Sequence, residues 1–128
     1  MKYLLDTHAF LWFVTDDDKL SSNARSIIKN SNNEVYFSAV SAWEMSIKVR
    51  LGRLTIEEAL EPFIIKQLAE NNFSTLSITI FHSIYTSKLP EIHKDPFDRM
   101  LIAQAQVENL SLISRDKNIK KYKIPVVW

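Results

Sequence analysis

Cysteine is absent from this chain, and glycine occurs once, at Gly52. The first absence excludes disulfides, thiolate metal sites and cysteine nucleophiles, and it fits a reducing compartment. The second excludes every glycine-rich phosphate cradle, and with it Walker and dinucleotide-binding loops. It also excludes the glycine-flanked turn that presents a nucleophilic serine. Long hydrophobic runs are missing too. The start, Met1-Lys2-Tyr3-Leu4-Leu5-Asp6, has one lysine and an apolar stretch cut short by Asp6. It reads as neither a signal peptide nor a membrane span, and no later segment reaches the ~20 apolar residues a spanning helix needs. The expectation is a soluble cytoplasmic protein with no membrane contact. Charge of one sign is also lacking: the formal net charge is +1, so bulk basicity offers no argument for nucleic acid.

The 128 residues present suit one domain, residues 1–128, large enough to bury a core without staples. Residues 2–5 read as a short buried strand ending at Asp6, and residues 9–14 as a helical turn or two. The run Asp16-Asp17-Asp18 breaks the chain. Residues 21–30 show a capping serine and helical spacing, and residues 34–40 a second strand. Ser41 opens a helix stopped near Gly52. Thr55, with Glu58 three residues on, predicts a capped helix to about Asn71, kinked or broken at Pro62. A third strand follows at 73–76 and a helix at 79–89 ended by Pro90. Asp95-Pro96 is a helix start, with Asp as cap and Pro at the first helical position. That helix ends near Asn109. Residues 110–113 form a buried strand, a short basic helix follows, and residues 124–128 form a last strand. Alternating strands and helices predict an α/β sandwich around a mainly parallel sheet. No repeat, linker or low-complexity segment interrupts it.

Open parallel sheets bind ligands at the carboxyl ends of their strands. Asp6 follows the first predicted strand and Asp116 the fourth. Glu44 and Asp98 each fall in the first turn of a predicted helix that begins at the same edge. All four acids can therefore project into one crevice. Four ionised carboxylates there repel, and without a cation at least one holds its proton at neutral pH. Mg²⁺ or Mn²⁺ relieves this and favours oxygen ligands. The chemistry that suits such an acidic, histidine-poor pocket is metal-assisted phosphodiester hydrolysis by a metal-activated water.

Each acid also has a plain structural reading. Ser41-x-x-Glu44 spells a capping box. Asp98 complements a helix dipole, and Asp6 and Asp116 cap the turns after them. Convergence of all four is what capping alone does not require. Arg99, Arg115 and Lys117 adjoin two of the acids, and Lys48 lies one helical turn beyond Glu44. An acidic pocket needs such cations to receive a phosphodiester, although each is also an ordinary solvated charge. His8 and His93 match no zinc spacing and read as surface or packing residues. Trp12, Trp43 and Trp128 read as core or dimer-contact aromatics. Phe63, Ile64, Ile65 and Leu68 need cover on more than one side, which points to a partner as well as a core.

The ordered set of segments resembles the PIN-domain family, and within it the VapC-type toxins of bacterial toxin–antitoxin pairs. Leu4-Leu5-Asp6-Thr7-His8 resembles the family's first strand and acid. Ser41-Ala42-Trp43-Glu44-Met45, continuing to Leu54, resembles the second-acid helix. Asp95-Pro96-Phe97-Asp98-Arg99-Met100-Leu101-Ile102-Ala103-Gln104-Ala105 resembles the third-acid helix of one VapC-like subgroup. Leu112-Ile113-Ser114-Arg115-Asp116 resembles the fourth-acid strand and turn. The resemblance spans essentially the whole chain. It implies a PIN-like α/β/α sandwich and Mg²⁺- or Mn²⁺-dependent RNA cleavage. It also implies a homodimer and inhibition by a small cognate antitoxin. Asp6, Glu44, Asp98 and Asp116 become the catalytic and metal-binding acids, supported by Thr7, Ser114 and the cap Asp95. Between the two acids of the third motif, register favours Asp98. Asn118 stands where some members carry a further acid, which weakens a second metal site.

Two rival readings have less support. An aspartate-nucleophile phosphatase wants a second Asp two residues after the first, where this chain has His8. A catalytically silent PIN-like binding module is not suggested by a chain that keeps all four acids.

Overall fold

The computed structural model describes residues 1–128. Five strands form one sheet: β1 (Lys2–Leu5), β2 (Glu34–Ser38), β3 (Ser74–Leu76), β4 (Ser111–Ile113) and β5 (Val126–Val127). Their order is β3-β2-β1-β4-β5, and every neighbouring pair is parallel, beyond the mainly parallel sheet expected. Six helices connect them: α1 (Thr7–Val14), α2 (Ser22–Lys29), α3 (Ala39–Arg50), α4 (Leu60–Glu70), α5 (Ile80–Tyr85) and α6 (Pro96–Glu108). Two 3₁₀ turns, Thr86–Lys88 and Ile119–Lys121, complete the set.

Parallel strands covered on both faces are apolar throughout, and side chains alternate between faces. Tyr3 and Leu5 join Phe10, Val35, Phe37 and Met45 in one core. Leu4, between them in sequence, joins Val40, Leu101, Ile102 and Leu112 in the other. Leu4 and Leu5 are fully buried; truncating either to alanine would cost about 2–5 kcal/mol. This continuous apolar strand sits at the centre of the sheet. No helix is long and apolar enough to cross a membrane.

Several boundaries moved, each for a local reason. Asp6 caps α1, so that helix starts at Thr7. Ser38 caps α3 through Val40 N–H, which starts that helix before Ser41. The Thr55–Glu58 capping box does not form, and α4 begins at Leu60 without a side-chain cap. Pro62 explains the late start, because a missing N–H is harmless only in a helix's first turn. The helix expected over 79–89 ends at Tyr85 and tightens into a 3₁₀ turn; the basic C-terminal helix is likewise only a 3₁₀ turn.

From β1 the chain steps outward to β2 and β3, then returns across β1 to form β4. The sheet therefore reverses its winding between β1 and β4. At such a switch point the flanking loops part and leave a crevice beyond the strand carboxyl ends.

Candidate active site

Asp6 stands at that crevice. The register pairs Leu5 with Ile113, and Asp6 N–H extends the ladder by donating to the Ile113 carbonyl at 3.1 Å. The residue is 6% exposed, and its Oδ1 accepts the Ala9 N–H at 2.7 Å. The plain reading of Asp6 as a cap is thus correct, but the cap occupies one oxygen only. Burial pushes the Asp6 carboxyl up from 3.8 to about 6. Hydrogen bonds from the Ser114 hydroxyl and the Ala9 N–H oppose that rise, while the charges of Asp116 and Glu44 add to it.

Glu44 is the sixth residue of α3, in its second turn. The first-turn placement expected from Ser41 fails because Ser38 is the cap, and no Ser41–Glu44 capping box forms. Glu44 is instead held by tertiary contacts. Its Oε1 accepts the Thr7 hydroxyl at 2.6 Å, and its Oε2 pairs with Lys48 Nζ at 2.8 Å. Thr7 has one hydroxyl proton, and a carboxylate paired with lysine can only accept. Ser41, whose Oγ lies 2.9 Å from Thr7 Oγ1, therefore donates to Thr7. All three residues are buried.

Asp116 is exposed in the turn after β4. Its Oδ1 accepts the N–H groups of Asn118 at 2.7 Å and Ile119 at 3.3 Å, and its own N–H donates to Ser114 Oγ. Asp116 and Asp6 line one cavity of about 270 Å³ with His8, Trp12 and Arg115.

The third motif folds as expected. Asp95 caps α6 through the N–H groups of Phe97 and Asp98, Pro96 opens the helix, and Asp98 is its third residue. Asp98 Oδ2 lies 3.1 Å from His93 Nε2. Burial, then the neighbouring Asp95 charge, push the Asp98 carboxyl up to about 6; His93 opposes this and Asp116 adds to it. The Asp116 charge thus bears on both Asp6 and Asp98, and the Glu44 charge on Asp6.

The four cations fare differently. The Arg115 guanidinium carbon sits over the Trp12 ring, 4.5 Å from its centroid. It and Lys117 are exposed beside Asp116. Lys48 is committed to Glu44. Arg99 does not rim the crevice as expected. Its Nη1 donates to the carbonyls of Pro90 and His93 and to the Tyr122 hydroxyl, and its Nη2 to the carbonyls of Thr86 and Leu89. Both terminal nitrogens of the Arg99 guanidinium are thus engaged within the protein, by the 86–93 loop and by Tyr122. Sequence reasoning also missed His93, whose Nδ1 lies 2.7 Å from the Tyr122 hydroxyl. Only the fold brings Tyr122 to it, so no local signal could have found the pair.

The donors fit a hard divalent cation by chemistry: all are carboxylate oxygens, and two of the carboxyls, Asp6 and Asp98, are raised first by burial and then by neighbouring carboxylates. As arranged, no three acidic side chains close on a single point. Mg²⁺ tolerates this, since it commonly takes one or two carboxylates and keeps several waters.

An all-parallel sheet with acids gathered at its switch point defines an α/β fold with a carboxylate-lined crevice. The chain belongs to the PIN domain family, whose pattern matches residues 3–125. It is similar to ribonuclease VapC22 of Mycobacterium tuberculosis (strain ATCC 25618 / H37Rv), with 26% identity over 129 residues, 98% of this chain and 97% of that protein. Its fold is similar to VapBC2 from Rickettsia felis, solved with a DNA fragment from its promoter, at TM-score 0.73 and 16% identity over 100% of this chain and 99% of that one. It also resembles VapBC-1 from nontypeable Haemophilus influenzae, at TM-score 0.64 and 18% identity over 99% and 97% of the two chains.

Proposed function

We propose that this chain is a divalent-metal-dependent ribonuclease and the toxin of a toxin–antitoxin pair. The observation that carries the reading is Asp6, a buried acid at the switch point, raised to about 6 with Asp116 and Glu44 both pressing on it. Membership of the PIN family and similarity to a protein named as a ribonuclease support it. No observation favours a silent binding module or another phosphoryl-transfer enzyme.

Asp6, Asp98 and Asp116 would hold Mg²⁺ or Mn²⁺, with Glu44 completing the set. When bound, the cation neutralises phosphate charge and lowers the pKa of the water that attacks phosphorus. Thr7 and Lys48 fix Glu44 in one rotamer. Ser114 braces the Asp116 turn by accepting that residue's N–H. Arg115 and Lys117 draw the RNA backbone towards an otherwise repulsive pocket. Asp95 supports the site as the cap of α6.

Two partners follow from the same reading. The neighbours in fold are toxin–antitoxin complexes, and a groove of about 590 Å³ between α1 and α4, walled by Leu11, Leu54, Ile56 and Phe63, suits an amphipathic antitoxin segment. The exposed apolar side of α5 suits a second copy of the chain.

The decisive assay is RNA cleavage by the purified chain with Mg²⁺, with Mn²⁺ and with chelator, in wild type, Asp98→Asn and Asp95→Asn. Wild type cleaves only with metal, Asp98→Asn is dead, and Asp95→Asn keeps much of its activity because Asn caps about as well as Asp. A wild type that cleaves no RNA with either metal overturns the function. An active Asp98→Asn beside a dead Asp95→Asn moves the third ligand to Asp95.

A further inference from the structure

Asp98 is braced by a chain of side chains that no cap or core requirement explains. Arg99 Nη1 lies 3.1 Å from the Tyr122 hydroxyl, which lies 2.7 Å from His93 Nδ1, while His93 Nε2 lies 3.1 Å from Asp98 Oδ2. The directions of these bonds follow from donor counts. A guanidinium can only donate, so the Tyr122 oxygen accepts from Arg99. Its one proton then has His93 Nδ1 as its acceptor. With Nδ1 accepting, the imidazole proton sits on Nε2 and points at Asp98. This assignment gives the Tyr122 and His93 protons one acceptor each; the opposite tautomer puts two donors on the Tyr122 oxygen and leaves its own proton without an acceptor among these residues.

The chain is anchored at both ends. Arg99 also clasps the carbonyls of Thr86, Leu89, Pro90 and His93 itself. It therefore holds the backbone of the loop that carries His93 as well as the hydroxyl that sets its tautomer. Tyr122 is 4% exposed, packed in the core beneath α6. The His93 and Tyr122 rings meet edge to face at 5.4 Å. His93 has little room to turn.

We propose that His93 is a positioning residue for Asp98. With Tyr122 and Arg99 it forms a relay that fixes Oδ2 by a donated hydrogen bond and leaves Oδ1 free for a cation. The proposal rests on the metal-site reading of Asp98 and assigns the residues that aim it. It also explains why Arg99, beside an active-site acid, is engaged within the protein.

The test uses the full chain and two readouts that need no RNA. At about pH 8 a long-range ¹H–¹⁵N correlation spectrum should show His93 protonated at Nε2 and bare at Nδ1. Tyr122→Phe should lose this single tautomer. Mn²⁺ binding by calorimetry should weaken by roughly 10–100-fold in His93→Ala, the usual effect of removing a group that orients a metal ligand. His93→Gln, whose amide can still donate to Asp98, should recover part of the loss. Thermal melts establish that each variant is folded. A His93 proton on Nδ1 overturns the relay. So does a folded His93→Ala that binds Mn²⁺ like wild type. If wild type itself binds no Mn²⁺, the metal reading fails, and the tautomer still decides the hydrogen-bond chain by itself.

Discussion

Thr7 and Glu44, thirty-seven positions apart in the chain, share a buried hydrogen bond of 2.6 Å. It ties the first residue of α1 to the second turn of α3, across the crevice that holds Asp6. The next residue after the first acid thus sets the rotamer of the second. Packing of two helices against one strand end produces this geometry, and neither segment encodes it alone.

Removing that hydroxyl should be costly. Thr7→Val leaves Glu44 Oε1 buried without its donor, and loss of a hydrogen bond to a charged group costs about 1.5–3 kcal/mol. Thr7→Ser should restore most of it. Urea unfolding of the three proteins measures the difference, and equal midpoints for wild type and Thr7→Val would show that the bond contributes nothing.

The acids make the metal-free protein sensitive to pH. Asp6 and Asp98 are raised from 3.8 to about 6, so the folded state binds their protons more tightly than the unfolded chain does. The stability they contribute is complete below the unfolded value of 3.8 and is lost as pH rises through about 6. For Asp6 the shift corresponds to ~3 kcal/mol. With chelator present, the Tm should fall between pH 5 and pH 7, and Asp6→Asn should flatten that fall. Saturating Mg²⁺ should offset it. A metal-free Tm that rises across this window would contradict the raised values.

RNA contact should separate the arginines. Arg115 and Lys117 together are expected to neutralise about two phosphates, so Arg115→Gln/Lys117→Gln should lower the salt slope of single-stranded RNA binding by about 1.4. Arg99→Gln should leave that slope unchanged and lower the Tm instead, because it opens the loop 86–93. Binding titrations across a salt series, paired with melts, distinguish the two effects. A reduced slope in Arg99→Gln would return that residue to the RNA surface.

The groove between α1 and α4 should receive the antitoxin. Phe63 is half-buried there with Leu11, Leu54 and Ile56. Phe63→Asp should abolish co-purification with a cognate antitoxin while RNA cleavage persists. Retained complex formation would move the docking site elsewhere.

The largest apolar exposure lies on α5 rather than on the helices that sequence reasoning singled out. Ile80 and Phe81 are each 75% exposed and Ile84 58%; on α4 Ile65 is also 58% exposed, while Ile64 is buried and Phe63 and Leu68 are half-buried. Light scattering should find a dimer for wild type and a monomer for Phe81→Asp. A monomeric wild type would end the dimer reading.

Much of the architecture was legible because it depends on near neighbours. The run Tyr3-Leu4-Leu5 announces a central strand by being apolar on both faces. Asp95-Pro96 announces α6 because cap and ring geometry act within one turn. Boundaries failed where two local signals competed. At Ser38 and Ser41 either serine can cap, and the burial of Ser41 against Thr7 decided for Ser38. At Thr55 the capping box lost to Pro62, whose ring forbids a helix running through it.

By itself the sequence determined the strand–helix alternation and the placing of acids at strand ends and helix starts, since composition and short-range periodicity are properties of the chain alone. Tertiary structure decided what each side chain is free to do. Arg99 and His93 show the division. Both stand within five residues of Asp98 and look equally available in the sequence. The fold carries Tyr122 and the carbonyls of the 86–93 loop to them, engages both terminal nitrogens of Arg99 and turns His93 towards the acid. Hydrogen bonds between segments that are distant in sequence depend on where the backbone goes, and that path is set by the packing of the whole core.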